Sequence, residues 1–414
     1  MNIPTLGEAR FPALGERFVS NDIRIPECIE SGAAPGMEFE LAGPRAKLFF
    51  DPGKTRAAIV TCGGLCPGLN NVIRSLFLEL HHGYGIKEVI GFRGGYQGLD
   101  PAHGQEPFIL TTGMVDDIHR HGGTILGTSR GPVDVGIAVD NLIARDINIL
   151  FTIGGDGTQR GANEFYLEAS RRGHALAVVG VPKTIDNDVS YVSRTFGYLS
   201  AVEEACRILE CAHTEACSVP GGIGLVKLMG RHAGFITAGA TVASQDVNFA
   251  LIPEVPFVLS SFLAALEERM RRRGHAVIAV AEGAGQDLLA AGDTTERDAS
   301  GNIKLKDIGS FLRGQIEAHF KTIGMPAVMR YFDPSYQVRS RAANCEDALL
   351  CDLYARHAVH AAMAGKTGLI IGFLHDRFIH VPIGLLAGKI KRLDPVGGWW
   401  RSVLAATGQP ACFT

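Results

Sequence analysis

No stretch of this 414-residue chain approaches the ~18 uninterrupted apolar residues that a membrane-spanning helix needs. The first residues lack the basic region and apolar run of a secretory leader. Together these absences predict a soluble, cytoplasmic protein. An excess of one charge is also missing: the formal net charge is −3 and the charges are spread out. That argues against coating a nucleic acid or another polyanion, and against a membrane surface. The longest basic cluster, Arg269 with Arg271, Arg272 and Arg273, falls at the end of a predicted helix, where it complements the helix dipole. Nine scattered cysteines include no Cys-x-x-Cys pair of zinc type, and most lie in apolar segments. They read as reduced core thiols rather than disulfides or metal ligands. Internal repeats and low-complexity blocks are absent.

Glycine, by contrast, is abundant, with 51 residues, as expected where many strands end in tight turns. The length accommodates two domains with a large core. Residues 1–50 show no clear periodicity and read as an extension wrapped on the main body. Beyond Arg56, short β-branched runs at 57–62, 88–92, 147–153, 175–181, 223–228, 249–252, 276–281 and 327–332 predict strands. Most are separated by helix-length segments such as 196–213, 260–273 and 308–322. This alternation implies an α/β fold with parallel sheets and helices on both faces. Two apolar runs at 368–373 and 377–381 predict a hairpin, and the polar stretch 293–306 a surface loop.

Gly154, Gly155, Asp156, Gly157 and Thr158 lie between an apolar strand and a helix-like stretch. Such a strand–glycine turn–helix order lets backbone N–H groups approach phosphates, with Asp156 placed to hold a phosphate-bound cation. Alone the signal is weak. It gains weight from Pro182 through Asp188, about one βα unit later, which supplies Lys183, Thr184, Asp186 and Asp188. In an extended segment Asp186 and Asp188 point the same way. One carboxylate can accept a hydroxyl proton while the other orients a cation, and Lys183 adds counter-charge. A turn capping a helix is the plain alternative. Gly63–Gly68 and the loop 127–132, with Arg130, are further glycine-flanked turns suited to phosphate oxygens. Met229, Gly230 and Arg231 end one predicted strand and Glu282 ends another. Ligands of open α/β sheets lie at such carboxyl ends. Arg330, Tyr336 and Arg339 fall in one short segment suited to a terminal phosphate. The constellation predicts phosphoryl transfer.

The set resembles the phosphofructokinase family over about residues 56–390. It is most similar to the branch of plant and trypanosomatid ATP-dependent enzymes, themselves related to the pyrophosphate-dependent ones. Residues 57–70, the segment from Tyr331 to Tyr336, and the extension ending in Gly43, Pro44 and Arg45 carry that likeness. The resemblance implies two Rossmann-like open-sheet domains with the active site in the cleft between them. After the 1–50 extension, 51–197 plus 338–388 would bind nucleotide, and 198–337 plus 389–414 the sugar phosphate. Asp186 would accept the 1-hydroxyl proton of fructose 6-phosphate, Arg231 would stabilise the transferring phosphate, and Lys183 would assist. Gly64, Arg130, Gly131, Gly155, Asp156, Gly157 and Thr158 would bind ATP, with Asp156 on Mg²⁺. Thr184, Ile185, Asp186, Asp188, Met229, Gly230, Arg231, Glu282, Arg330, Tyr336 and Arg339 would contact the sugar phosphate. The implied state is a homo-oligomer, dimer or tetramer, of a glycolytic, allosteric enzyme.

The chain departs from the bacterial ATP enzymes at Lys183, where they carry glycine, at Gly222, where a partner-subunit arginine would fall, and at Tyr336, where they carry histidine. Donor choice rests on Gly157 and Lys183. Pyrophosphate-dependent members carry aspartate at the position of Gly157, where a carboxylate would crowd and repel the α-phosphate of ATP. Lys183 favours pyrophosphate, but an added attraction weighs less than a clash, so ATP is the expected donor. A lipid or NAD kinase shares the Gly-Gly-Asp-Gly motif but lacks the 184–188 segment and the Tyr336/Arg339 pair. An inactive nucleotide sensor would not need Asp156, Asp186 and Arg231 together.

Overall fold

The computed structural model describes residues 1–13, 18–28, 36–103, 105–289, 296 and 304–414. The chain clusters into two compact units. The first comprises Met1–Thr184, Val189–Gly197 and Ser340–Lys389; the second comprises Ile185–Asp188, Tyr198–Arg339 and Ile390–Thr414.

Five parallel strands form the middle of the first unit's nine-stranded sheet, in the order Leu369–Leu374, Ala177–Pro182, Ile149–Gly154, Arg56–Thr61 and Glu88–Gly91. Every residue of Ile149–Gly154 and Ala177–Pro182 is buried. Apolar side chains on both faces of a strand need cover on both sides, which crossover helices of a parallel sheet provide. The predicted hairpin is present: Leu369–Leu374 pairs antiparallel with Arg377–Pro382. His375 and Asp376 turn it, with φ of 51° and 57°, the left-handed pair that a two-residue hairpin turn requires.

Two short segments of the N-terminal extension pair with this sheet. Arg24–Pro26 and Glu38–Leu41 extend this sheet antiparallel beyond Arg377–Pro382. A buried charge cluster ties them in. Glu40 Oε1 lies 2.6 Å from Arg45, 2.7 Å from Lys366 and 3.0 Å from His380. The Glu-Phe-Glu-Leu alternation at 38–41 covers only four residues and Arg24–Pro26 only three, too short to mark strands in sequence, so pairing partners decided what local sequence did not.

The second unit holds a four-stranded parallel sheet, ordered Phe249–Leu251, Ala276–Ala281, Gly222–Leu228 and Val328–Phe332. Phe249, Phe262 and Phe413 meet edge-on or tilted, at centroid separations of 5.6–6.0 Å. Burial of each ring contributes about 1.5–3 kcal/mol. The helix Leu259–Arg273 stops at Gly274, whose φ of 76° suits glycine, and Arg271–Arg273 occupy its last turn as the dipole argument predicts. Most of the predicted 293–306 loop lies outside the described residues.

All nine cysteines are free. Only Cys62, Cys66 and Cys351 are core thiols; Cys28, Cys211, Cys217, Cys345 and Cys412 are exposed, which corrects the expectation of core placement. An apolar neighbourhood in sequence does not fix which face of a helix a residue occupies. Among the described residues no helix is long and apolar enough to cross a membrane.

Candidate active site

In the first unit, three loops leave the carboxyl ends of the adjacent parallel strands Arg56–Thr61, Ile149–Gly154 and Ala177–Pro182. The turn after the first is fixed by the loop bearing Arg130. Gly63 N–H donates to the Ser129 carbonyl at 3.1 Å, and Thr128 Oγ1 donates to the Gly63 carbonyl at 2.6 Å. Arg130 and Gly131 are exposed on that loop. Lys183 is buried; its Nζ donates to the Gly64 carbonyl at 2.6 Å and its N–H to the Gly154 carbonyl at 3.0 Å. All three loops are thus joined by hydrogen bonds spanning long sequence separations. Burial pushes the adjacent Cys62 thiol up to about 12, so it stays protonated and inert.

The helix Asp156–Arg171 begins directly after Gly155, so Asp156, Gly157 and Thr158 occupy its first turn, where N–H groups lack intrahelical partners. Gly154 has no alternative here, because a β-carbon would lie 2.1 Å from Thr158 Oγ1. Gly157 is the opposite case: a β-carbon would meet nothing closer than Arg160 Nη2 at 3.8 Å. The fold therefore leaves this glycine unforced. The Asp156 carboxylate is exposed, 3.4 Å from Arg160.

In the second unit Asp186, Asp188, Arg231 and Glu282 come together. The segment is not extended as predicted: it bends at Ile185 and Asp186, and Asn187 adopts a φ of 55°. The helix-capping alternative fails as well, since the next helix starts only at Tyr198. Loss of hydration pushes the Asp186 carboxyl well above the usual range. The Asp188 and Glu282 charges act in the same direction, while the Arg231 backbone N–H and guanidinium oppose it. Asp186 keeps some exposed surface, yet it lies deep enough for desolvation to dominate. Burial raises Glu282 too, with Arg231, Lys227 and Arg339 working against the rise.

Two loops position these groups. Glu282 N–H donates to the Leu228 carbonyl at 2.9 Å, and Gly283 N–H to the Gly230 carbonyl at 3.0 Å. A β-carbon on Gly283 would stand 1.9 Å from the Arg231 carbonyl oxygen, so the approach demands glycine. Met229 and Gly230, with φ of 133° at the latter, lead into Arg231. Ile185 is buried. In the first unit, the Thr184 carbonyl accepts from Thr195 Oγ1 at 2.7 Å.

Arg339 stacks over the exposed Tyr336 ring, 4.9 Å from its centroid. Arg330 does not share that turn. It lies in the strand Val328–Phe332 and its Nε pairs with Glu215 at 3.1 Å. The short sequence spacing suggested one cluster, but strand geometry turned Arg330 toward a helix 115 residues earlier.

Lys391 was missed from sequence. Its N–H donates to the Asp188 carbonyl at 2.9 Å, and its ammonium lies 5.0 Å from the Phe235 centroid. Burial pulls it down to about 7, against the attraction of Asp188. A lysine beyond the last motif carries no local signal of such an address.

The chain belongs to the phosphofructokinase family, whose sequence model matches residues 56–362. It is 48% identical to an "ATP-dependent 6-phosphofructokinase" of Amycolatopsis methanolica, covering 97% of this chain and 90% of that protein. It is 43% identical to "ATP-dependent 6-phosphofructokinase 7" of Arabidopsis thaliana (99% and 85% covered). Identity to the "ATP-dependent 6-phosphofructokinase" of Trypanosoma brucei brucei is 47% (89% and 76% covered). The crystal structure of a pyrophosphate-dependent phosphofructokinase from Marinobacter aquaeolei shares the fold, with a TM-score of 0.71 at 21% identity over 85% of this chain and 91% of that one.

Proposed function

We infer that this chain is an ATP-dependent 6-phosphofructokinase, transferring the γ-phosphoryl group of ATP to the 1-hydroxyl of fructose 6-phosphate. The observation that carries the mechanism is the Asp186 cluster. A general base works best with its pKa near the operating pH, and burial beside Asp188 and Glu282 moves Asp186 in that direction. Asp186 accepts the hydroxyl proton as the sugar oxygen attacks phosphorus, and the Arg231 guanidinium offsets charge on the transferring phosphoryl group. Asp188 orients this pair, with Lys391 as its nearby cation. Glu282 and the 229–231 backbone hold sugar hydroxyls, and Arg339 with Tyr336 takes the 6-phosphate. Thr184 and Ile185 shape the approach to Asp186.

On the donor side, Gly64, Arg130, Gly131, Gly155, Gly157 and Thr158 bind nucleotide phosphates. Asp156 suits magnesium: an exposed hard-oxygen donor beside open helix N–H groups, with substrate phosphates completing the shell. The ion would supply charge neutralisation on those phosphates. Room at Gly157 supports ATP over pyrophosphate. Lys183, the feature favouring pyrophosphate, already bonds the Gly64 carbonyl, which weakens its pull toward the alternative donor. The exposed apolar side chains of Leu349, Val396 and Trp399 support a homo-oligomer, and with the glycolytic role goes a cytoplasmic location.

One assay decides the donor. Initial rates of fructose 1,6-bisphosphate formation, measured in parallel with Mg-ATP and Mg-pyrophosphate, are expected to give turnover with ATP and little with pyrophosphate. A larger kcat/KM for pyrophosphate would overturn the donor assignment, and no turnover with either would overturn the kinase reading.

A further inference from the structure

The two strands whose carboxyl ends lead to Arg231 and Glu282 begin, at their amino ends, beside a cluster that phosphoryl transfer does not use. His213 and Cys217 stand four residues apart near the end of the helix Tyr198–Cys217, hence on one face. His275 separates Gly274 from the strand Ala276–Ala281. One ring nitrogen of each histidine and the Cys217 Sγ lie within 4.8 Å of one another. The two rings are tilted, with centroids 5.6 Å apart.

A second observation concerns Nδ1 of each ring. His213 Nδ1 lies 2.8 Å from Asp246 Oδ1, and His275 Nδ1 lies 3.2 Å from the Arg273 carbonyl oxygen. Both partners can accept a hydrogen bond, and the carbonyl can do nothing else. Nδ1 therefore carries the proton of each neutral ring, and Nε2 carries the lone pair. Metal-ligating histidines are oriented in this way, through a carboxylate or carbonyl on the far nitrogen. The backbone is braced as well, since Arg269 Nε donates to the His275 carbonyl at 3.2 Å.

We propose that His213, Cys217 and His275 form a binding site for a divalent transition ion of zinc class, with water in a fourth position. Two imidazoles and a thiolate suit borderline-soft ions and not magnesium or calcium, which need oxygen ligands. Tetrahedral zinc with these ligands sets ligand atoms roughly 3.3–3.6 Å apart. Closing from separations of up to 4.8 Å requires shifts of about 1 Å, to which rotation of the exposed Cys217 side chain contributes. The bound ion would pin the carboxyl end of the helix to the amino end of the strand. A six-residue strand spans roughly 20 Å, so the ion acts on the stability of this unit and leaves Arg231 and Glu282 untouched. Cys217 thereby gains a role opposite to the sequence expectation that the cysteines are not metal ligands.

The test uses the full chain, stripped with a chelator under reducing conditions. Cobalt(II), a spectroscopic substitute for zinc, is expected to bind at one equivalent with a thiolate-to-cobalt charge-transfer band, and saturating zinc to raise Tm by about 5 °C or more. Cys217→Ser should abolish the band and weaken zinc binding at least tenfold. Asp246→Asn should keep the band and weaken binding about 10–100-fold. Cys211→Ser, another exposed thiol of the same helix, should change neither. A cobalt complex without a thiolate band, a band that survives Cys217→Ser, or less than half an equivalent bound at saturation would overturn the proposal.

Discussion

Lys183 Nζ donates to the Gly64 carbonyl oxygen at 2.6 Å, across 119 residues of sequence. The lysine is buried, so its charge serves to hold the glycine turn after Thr61 against the strand that ends at Pro182. Lys183→Met should let the Gly64 turn relax. A hydrogen bond from a charged group contributes about 1.5–3 kcal/mol, so kcat/KM for ATP is expected to fall roughly 10–200-fold. Steady-state kinetics with each substrate varied would check this. An unchanged KM for ATP would show that the loop keeps its shape without the bond.

Asp186→Asn preserves size and polarity but removes the base, and kcat should fall about 10²–10⁴-fold. Retention of more than about a tenth of wild-type kcat would end the base assignment. The pH profile supplies an independent check. Since Asp186 must be ionised to accept a proton and its pKa is raised, kcat/KM should climb with pH through a limb above the usual carboxylate range. Asp188→Asn removes a charge that raises Asp186 and should move that limb to lower pH. A limb that stays in place would point to another titrating group.

Arg339 and Arg330 should separate in their effects. Arg339→Ala is expected to raise the KM for fructose 6-phosphate about 10–200-fold, with the KM for ATP nearly unchanged. Arg330→Ala breaks a half-exposed pair with Glu215, worth at most about 1 kcal/mol, so its effect should stay within about fivefold. Equal losses in the two variants would return Arg330 to the phosphate site.

Gly157→Asp should fold normally, because a β-carbon there meets nothing within ordinary contact distance except Arg160 Nη2. A carboxylate facing phosphate costs several kcal/mol, so kcat/KM for ATP should drop about 10²-fold or more. Normal ATP kinetics in a variant with an unaltered circular dichroism spectrum would show that this position does not gate the donor.

Three histidines of the first unit predict a pH dependence of stability. Burial is the first cause for each, pulling His357 down to about 3 and His360 and His380 to about 4. Arg45 and Arg356 add repulsion, while Glu40 holds His380 up. The unfolded chain, with histidines near 6.5, therefore binds more protons than the folded one between about pH 6.5 and 4. Stability rises with pH in that window and is lost as pH falls, by up to ~1.4 kcal/mol per pH unit for each histidine. Urea unfolding between pH 7.5 and 5 should show that slope. His357→Phe, stacking on Phe378 as the imidazole does at 4.5 Å, should flatten it; an identical slope in the variant would remove His357 from the account.

The strand–helix alternation, the hairpin turned by His375 and Asp376, and the glycine-rich turns after strands were legible in the sequence. Each is written in a local code: apolar period, β-branched runs, or a backbone angle that favours glycine. The residue types for phosphoryl transfer were legible for the same reason, since motifs keep their chemistry within a few positions. Three-dimensional structure decided the rest. Long-range pairing gave Lys183 to Gly64, turned Arg330 toward Glu215, seated Arg24–Pro26 and Glu38–Leu41 at a sheet edge and brought Lys391 to Asp188. It also gathered His213, Cys217 and His275, which share no motif. Burial set the raised carboxyl of Asp186 and the lowered ammonium of Lys391, because the cost of dehydrating a charge depends on what the whole fold packs around it and on nothing that its sequence neighbours specify.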